Sequence, residues 1–137
     1  FDEGINPVWH SGRPEWSHMV NGASLAMPYL EPFLIKTVTE ALKQVDDPAL
    51  KADVHGFIGQ EGVHYRNHRR YNEILKQTYP ELAEVEAEME ADYRVFQKRS
   101  LKWRLAYTAG FETMTMGRMS SASVRPAERM LCPRPKV

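Results

Sequence analysis

Gly59-Gln60-Glu61-Gly62-Val63-His64-Tyr65-Arg66-Asn67-His68 spells E-x-x-H-x-x-x-H inside a long stretch whose apolar residues recur at helical spacing. Side chains three, four and seven positions apart share one face of a helix. At about 100° per residue, His64 lies about 60° from Glu61 and His68 about 20° from it. One carboxylate and two imidazoles therefore point the same way. Leu50, Val54, Phe57, Ile58, Tyr65, Asn72 and Leu75 extend the same stripe, so the motif is expected on a buried face of a helix over 48–77. Asp46-Asp47-Pro48 supplies its start, an Asp cap followed by Pro in the first turn. Gly56, Gly59 and Gly62 lie off the stripe, where they would admit a close neighbour.

Upstream, a first helix is expected over 17–45, with Ser17 as its cap. Its stripe runs Val20, Ser24, Met27, Glu31, Leu34, Ile35, Val38, Leu42 and Val45, and Pro28 and Pro32 predict either one kinked helix or two abutting ones. Before it, residues 1–16 hold Gly4, Pro7, Gly12 and Pro14 and read as an arm whose Trp9 and Trp16 dock on the helices. His10 and His18 read as exposed or core-edge histidines. Downstream, a third helix over 80–99 carries the stripe Leu82, Val85, Met89, Tyr93 and Phe96 and no candidate ligand. A fourth, over 101–120, aligns Leu101, Leu105, Thr108, Ala109, Glu112, Thr115, Met116 and Met119. The pattern predicts an all-α helical domain over 17–124. Residues 125–137 hold three prolines and no period, and are expected to be a disordered tail.

The chain has 137 residues, enough for one domain with a core. Lys plus Arg and Asp plus Glu are both 18. Zero net charge argues against partners held by bulk charge, so neither nucleic acid nor a membrane surface is expected. No apolar run approaches the roughly 20 residues of a membrane helix. The one cysteine, Cys132, excludes an intrachain disulfide and makes a reducing cytoplasm the expected compartment. The chain opens on Phe1 rather than Met and on no signal peptide, which predicts a fragment or a partial reading frame.

A carboxylate in a dry core is costly unless it is paired or binds a metal. Here Glu31, Glu61 and Glu112 each sit in an apolar stripe on a different helix, and Glu61 adds His64 at i+3. Such a set is the recipe of helical di-metal carboxylate proteins, with a divalent Fe, Mn or Zn as the cofactor. Each residue also has a plainer explanation. Glu31 would be a helix-start residue partly in water, Glu112 would pair with Arg104 or Arg118, and His64 and His68 would be satisfied core histidines. The zinc-protease motif is excluded because Gln60 stands where its first histidine belongs.

Three segments together resemble the bacterial predicted metal-dependent hydrolase family: Ser24-Leu25-Ala26-Met27-Pro28-Tyr29-Leu30-Glu31, Phe57 through Asn72, and Ala109-Gly110-Phe111-Glu112-Thr113-Met114-Thr115. The resemblance implies a ferritin-like bundle with a binuclear site, ligands Glu31, Glu61, His64 and Glu112, and His68 as a further ligand or a group behind the ligands. It also implies a second Glu-x-x-His after Glu112. Here Glu128 is followed by Leu131 at that spacing, so the last ligand helix is expected to be missing, by truncation or a shifted frame, and activity to suffer. Three functions follow as expectations: hydrolysis of an unidentified small molecule, oxidation of a small apolar substrate by a di-iron pair, or a non-catalytic helical module. In the last case a second copy of the chain would cover the exposed apolar face.

Overall fold

A computed structural model describes residues 4–123, with side chains to residue 115. Four helices follow in order: α1 (Pro14–Ala41), α2 (Pro48–Thr78), α3 (Leu82–Phe96) and α4 (Leu101–Ser123). A short 3-10 turn, Leu42–Gln44, ends the first helical segment. No strand occurs among the described residues, so the all-α expectation holds. None of these helices is long and apolar enough to cross a membrane. The expected tail, 125–137, lies outside the described residues.

The helix starts follow local chemistry. Asp47 caps α2, its Oδ1 accepting from the amides of Ala49 at 2.8 Å and Leu50 at 3.4 Å, with Pro48 placed where no donor is needed. Helix α1 starts at Pro14 rather than at Ser17. Ser17 is buried instead, and its Oγ accepts from the amide of His10 at 2.9 Å. The hydroxyl expected to cap the helix thus ties the preceding arm to it. Trp9 docks through its indole N–H, which donates to Asn21 Oδ1 at 3.2 Å, while nearly half of its surface stays exposed.

Helix α1 is the hub. It packs against each of the other three, and it supplies Leu25, Leu30, Phe33 and Leu34 of the buried apolar core, with Leu75 coming from α2. A helix enclosed on several sides has no single apolar stripe. The periodicity accordingly missed Leu25, Leu30 and Phe33 and included Val20, which is exposed. Toward α3 and α4 the contact is aromatic. Phe33 lies 5.7 Å from the Tyr93 ring and 5.4 Å, edge-on, from Tyr107, and Tyr107 stacks on Trp103 at 5.4 Å. Offset and edge-on ring pairs add roughly 0.5–1.5 kcal/mol each beyond area burial.

Toward α2 the contact adds polar groups to Leu75 and Phe57, and proline explains part of that. Helix α1 runs unbroken through Pro28 and Pro32. Pro28 has no amide hydrogen, so the Ser24 carbonyl four residues earlier lacks its helical donor. Asn72 of α2 fills that vacancy, its Nδ2 donating to Ser24 O at 3.0 Å. The helix tolerates the proline because its neighbour satisfies the freed carbonyl.

Two other expectations change. On α3, Val85 is exposed and Glu86 is buried, so the inward face runs Leu82, Glu86, Met89, Tyr93. On α2, Gly56 and Gly59 face open space and Gly62 has only the tip of Arg66 nearby, so no helix or arm approaches them. Truncating the hub should be costly. Leu30, 1% exposed, is expected to lose about 2–5 kcal/mol of stability as Leu30→Ala in urea unfolding; a loss under about 1 kcal/mol would contradict a packed hub.

Candidate metal centre

Helices α1 and α2 lie side by side, and their facing surfaces bring together the carboxylates found by spacing. Glu31 on α1 is 2% exposed and Glu61 on α2 is 6% exposed. His64, one turn beyond Glu61, keeps 45% of its side chain in solvent. One ligand atom from each of Glu31, Glu61 and His64 falls within 4.8 Å of the others. His64 Nδ1 stands 3.6 Å from Glu61 Oε1, as the i, i+3 spacing requires. Among the described residues this is the one such cluster of three.

His68, also on α2, approaches Glu31 as well. Its Nε2 is 3.8 Å from Glu31 Oε1, and its Nδ1 is 2.8 Å from Ser24 Oγ. Glu31 therefore lies within reach of both imidazoles. Glu112 stands outside the three-residue cluster. It is half-buried on α4, in an apolar groove shared with Val38, Val54 and Phe57, and near enough to Glu61 for its charge to be felt there. Its expected alternative partner Arg104 is engaged elsewhere, donating to Glu40 Oε2 from a buried position. His10 and His18 are exposed, as expected, and His18 lies edge-on to the Tyr79 ring rather than with the carboxylates.

The electrostatics fit a site built for a cation. Burial, with Glu61 adding to it, raises the Glu31 pKa to about 8. Burial also raises Glu61; His64 opposes the shift and Glu112 reinforces it. Burial and the neighbouring His64 lower His68, favouring the neutral ring that a metal needs. Glu31 Oε2 is fully buried with no hydrogen-bond partner. An orphaned carboxylate oxygen at this depth is costly. A divalent ion would satisfy it, and carboxylate plus imidazole suits Fe, Mn or Zn.

The model of the predicted metal-dependent hydrolase family matches residues 1–126. The chain belongs to this family. Neither the curated proteins nor the solved structures contain a match. The family description calls for a metal, and the acidic cluster between α1 and α2 offers ligands of the right chemistry. The plainer explanation of Glu31, a helix-start residue partly in water, fails, because Glu31 lies in the middle of α1 and in the core.

The spacing gives no role to the polar residues behind the acidic cluster. Asn72 and Ser24 fall on the inward stripes without a role there, and Glu86 falls outside the stripe of its helix although it is buried. Glu86 sits four residues after Leu82 and three before Met89, a core spacing that could have exposed it.

The raised Glu31 pKa has a signed consequence. Between the ordinary carboxyl value of 4.5 and about 8, the folded protein keeps a proton that the unfolded chain releases. Metal-free protein should therefore lose stability as pH rises through that window. Metal affinity should rise over the same window, because binding must expel the proton. Urea midpoints at about pH 5 and about pH 8 are expected to fall more for wild type than for Glu31→Gln, which carries no ionisable proton there. Equal slopes for the two proteins would show that Glu31 titrates normally.

Proposed function

We propose that the chain is a hydrolase whose metal centre is held by Glu31, Glu61 and His64, with His68 and Glu112 extending it to a binuclear carboxylate site of the ferritin-like type. The observation that carries the proposal is the convergence, within 4.8 Å, of two buried carboxylates and one solvent-facing imidazole from two helices. Glu31, in reach of both His64 and His68, is suited to be the shared ligand of two ions. A divalent metal bound there would supply a Lewis acid and lower the pKa of a coordinated water toward neutrality.

The chain's own residues define the rest. Glu31 and Glu61 provide negative charge in a dry setting, where its attraction for a cation is strongest. His64 leaves the centre open toward solvent, which gives metal and water a way in. The open groove of about 280 Å³ lined by Val38, Asp53, Val54, Phe57, Thr108 and Glu112 can take the apolar part of a small substrate. Glu112 would stand where that groove meets the acidic cluster and orient a polar substrate group or a proton.

A carboxylate-rich ligand set also favours iron, which supports a second reading in which the same site oxidises a small apolar substrate. The readings separate experimentally. Purified protein is expected to retain Fe, Mn or Zn, and Glu61→Ala and His64→Ala to reduce the bound metal at least about 10-fold. Unchanged metal content in both variants would remove this site from consideration. With metal bound, turnover of ester or amide substrates under anaerobic conditions supports hydrolysis. A near-ultraviolet band that appears only when oxygen meets the Fe(II)-loaded chain supports the oxidative reading. A wild-type chain with no metal above background supports the non-catalytic module.

A further inference from the structure

We infer that Ser24, Asn72 and Glu86 form a buried hydrogen-bond line that holds His68 in its Nδ1–H tautomer, so that the Nε2 lone pair faces Glu31 and the metal centre. Ser24, Asn72 and Glu86 are thus positioning residues, and His68 is a ligand presented through Nε2. The inference rests on the metal site proposed above for its functional meaning, but the tautomer itself depends only on the hydrogen bonds.

The direction of the line follows from counting protons. Asn72 Nδ2 has two acceptors, Ser24 O at 3.0 Å and Glu86 Oε1 at 3.2 Å. Flipping the amide would set its oxygen against a carbonyl and a carboxylate, so the NH2 must face them. Asn72 Oδ1 is then turned toward Ser24 Oγ, at 2.8 Å, and can only accept. The Ser24 hydroxyl has one hydrogen and spends it on Asn72. Its other close neighbour, His68 Nδ1 at 2.8 Å, must therefore donate. The neutral ring carries one N–H, so Nε2 bears the lone pair, and it stands 3.8 Å from Glu31 Oε1.

Every donor in the line points from His68 toward Glu86. At its far end, Lys76 Nζ holds the other Glu86 oxygen at 2.5 Å, which keeps that carboxylate an acceptor. Bonds aligned in one direction reinforce one another. Ser24, Asn72 and Glu86 are 4%, 0% and 7% exposed, so water does not compete along the line. Free histidine in water favours the opposite tautomer, with the proton on Nε2. A metal-binding histidine commonly donates its second ring N–H to a polar group behind it, and losing that group costs about 10–100-fold in metal affinity.

The test is nitrogen-15 NMR of the His68 ring in the full-length, metal-free chain, at a pH where the ring is neutral. Wild type is expected to show Nδ1–H. Ser24→Ala is expected to shift the ring toward Nε2–H and to weaken Zn(II) or Fe(II) binding by about 10–100-fold, while Ser24→Thr, which keeps the hydroxyl, retains both properties. An Nε2–H ring in wild type overturns the inference without any variant needing to fold. So does an unchanged tautomer in folded Ser24→Ala. A wild-type chain that shows Nδ1–H but binds no metal supports the tautomer assignment and overturns the function proposed above, so the two failures are distinct.

Discussion

A carboxyl group occupies the middle of the driest helix in the molecule. Glu31 lies between Leu30 and Phe33 on α1, the helix that all others contact, and one of its oxygens meets no partner. Burying an unpaired charge is prohibitive, so without a cation the group must stay protonated at neutral pH. The surroundings do little to relieve it. Glu61 adds like charge, and the two histidines stand 3.6–3.8 Å from carboxylate oxygens, outside good hydrogen-bond distance. A fold optimised for stability alone would place leucine at this position. An acid there costs stability, and its place beside Glu61 and His64 is what the metal site proposed above would explain.

The two sides of α1 do different work. Its contact with α3 and α4 is a cluster of rings around Phe33, with the Glu40–Arg104 ion pair beside it. Its contact with α2 mixes polar and apolar groups: the buried residues of α2 are Glu61, Asn72 and Leu75, and Phe57 packs on the core beside them. The aromatic side anchors the hub, and the side facing α2 orients the acidic cluster and its histidines. A net hydrogen bond contributes only about 0.5–1.5 kcal/mol, so the polar groups add more to specificity of arrangement than to bulk stability. That division explains how a chain with few fully buried apolar residues still presents its acidic cluster from a defined scaffold.

Much of this was legible in the chain itself. Four helices, the Asp47 cap and the convergence of Glu31, Glu61 and His64 all follow from periodicity and residue chemistry. What escaped depended on enclosure. A stripe analysis assumes one buried face, so it could not see that α1 is surrounded or that Arg104 and Glu86 are drawn inside by Glu40, Asn72 and Lys76. Nor could spacing separate Glu112 from the other acids. It shares their pattern, but α4 holds it beside the apolar groove rather than within the three-residue cluster. The prolines leave open one kinked helix or two abutting ones; the structure has one helix through both, and the hydrogen bond lost at Pro28 is replaced across the interface by Asn72.

That cross-interface bond also acts as a registration mark. Pro28 leaves one unpaired carbonyl on α1, and one amide on α2, that of Asn72, is seated on it. Glu61, His64, His68 and Asn72 ride on the same rigid helix, so seating Asn72 sets the axial position of the other three at once. A slip by a single turn, about 5.4 Å, would carry every α2 group past Glu31 together and leave the carbonyl bare. The same slip would pull Leu75 and Phe57 of α2 out of their places against the core, so polar and apolar contacts fix one register together. A residue usually associated with disrupting helices here helps to give this pair a unique alignment.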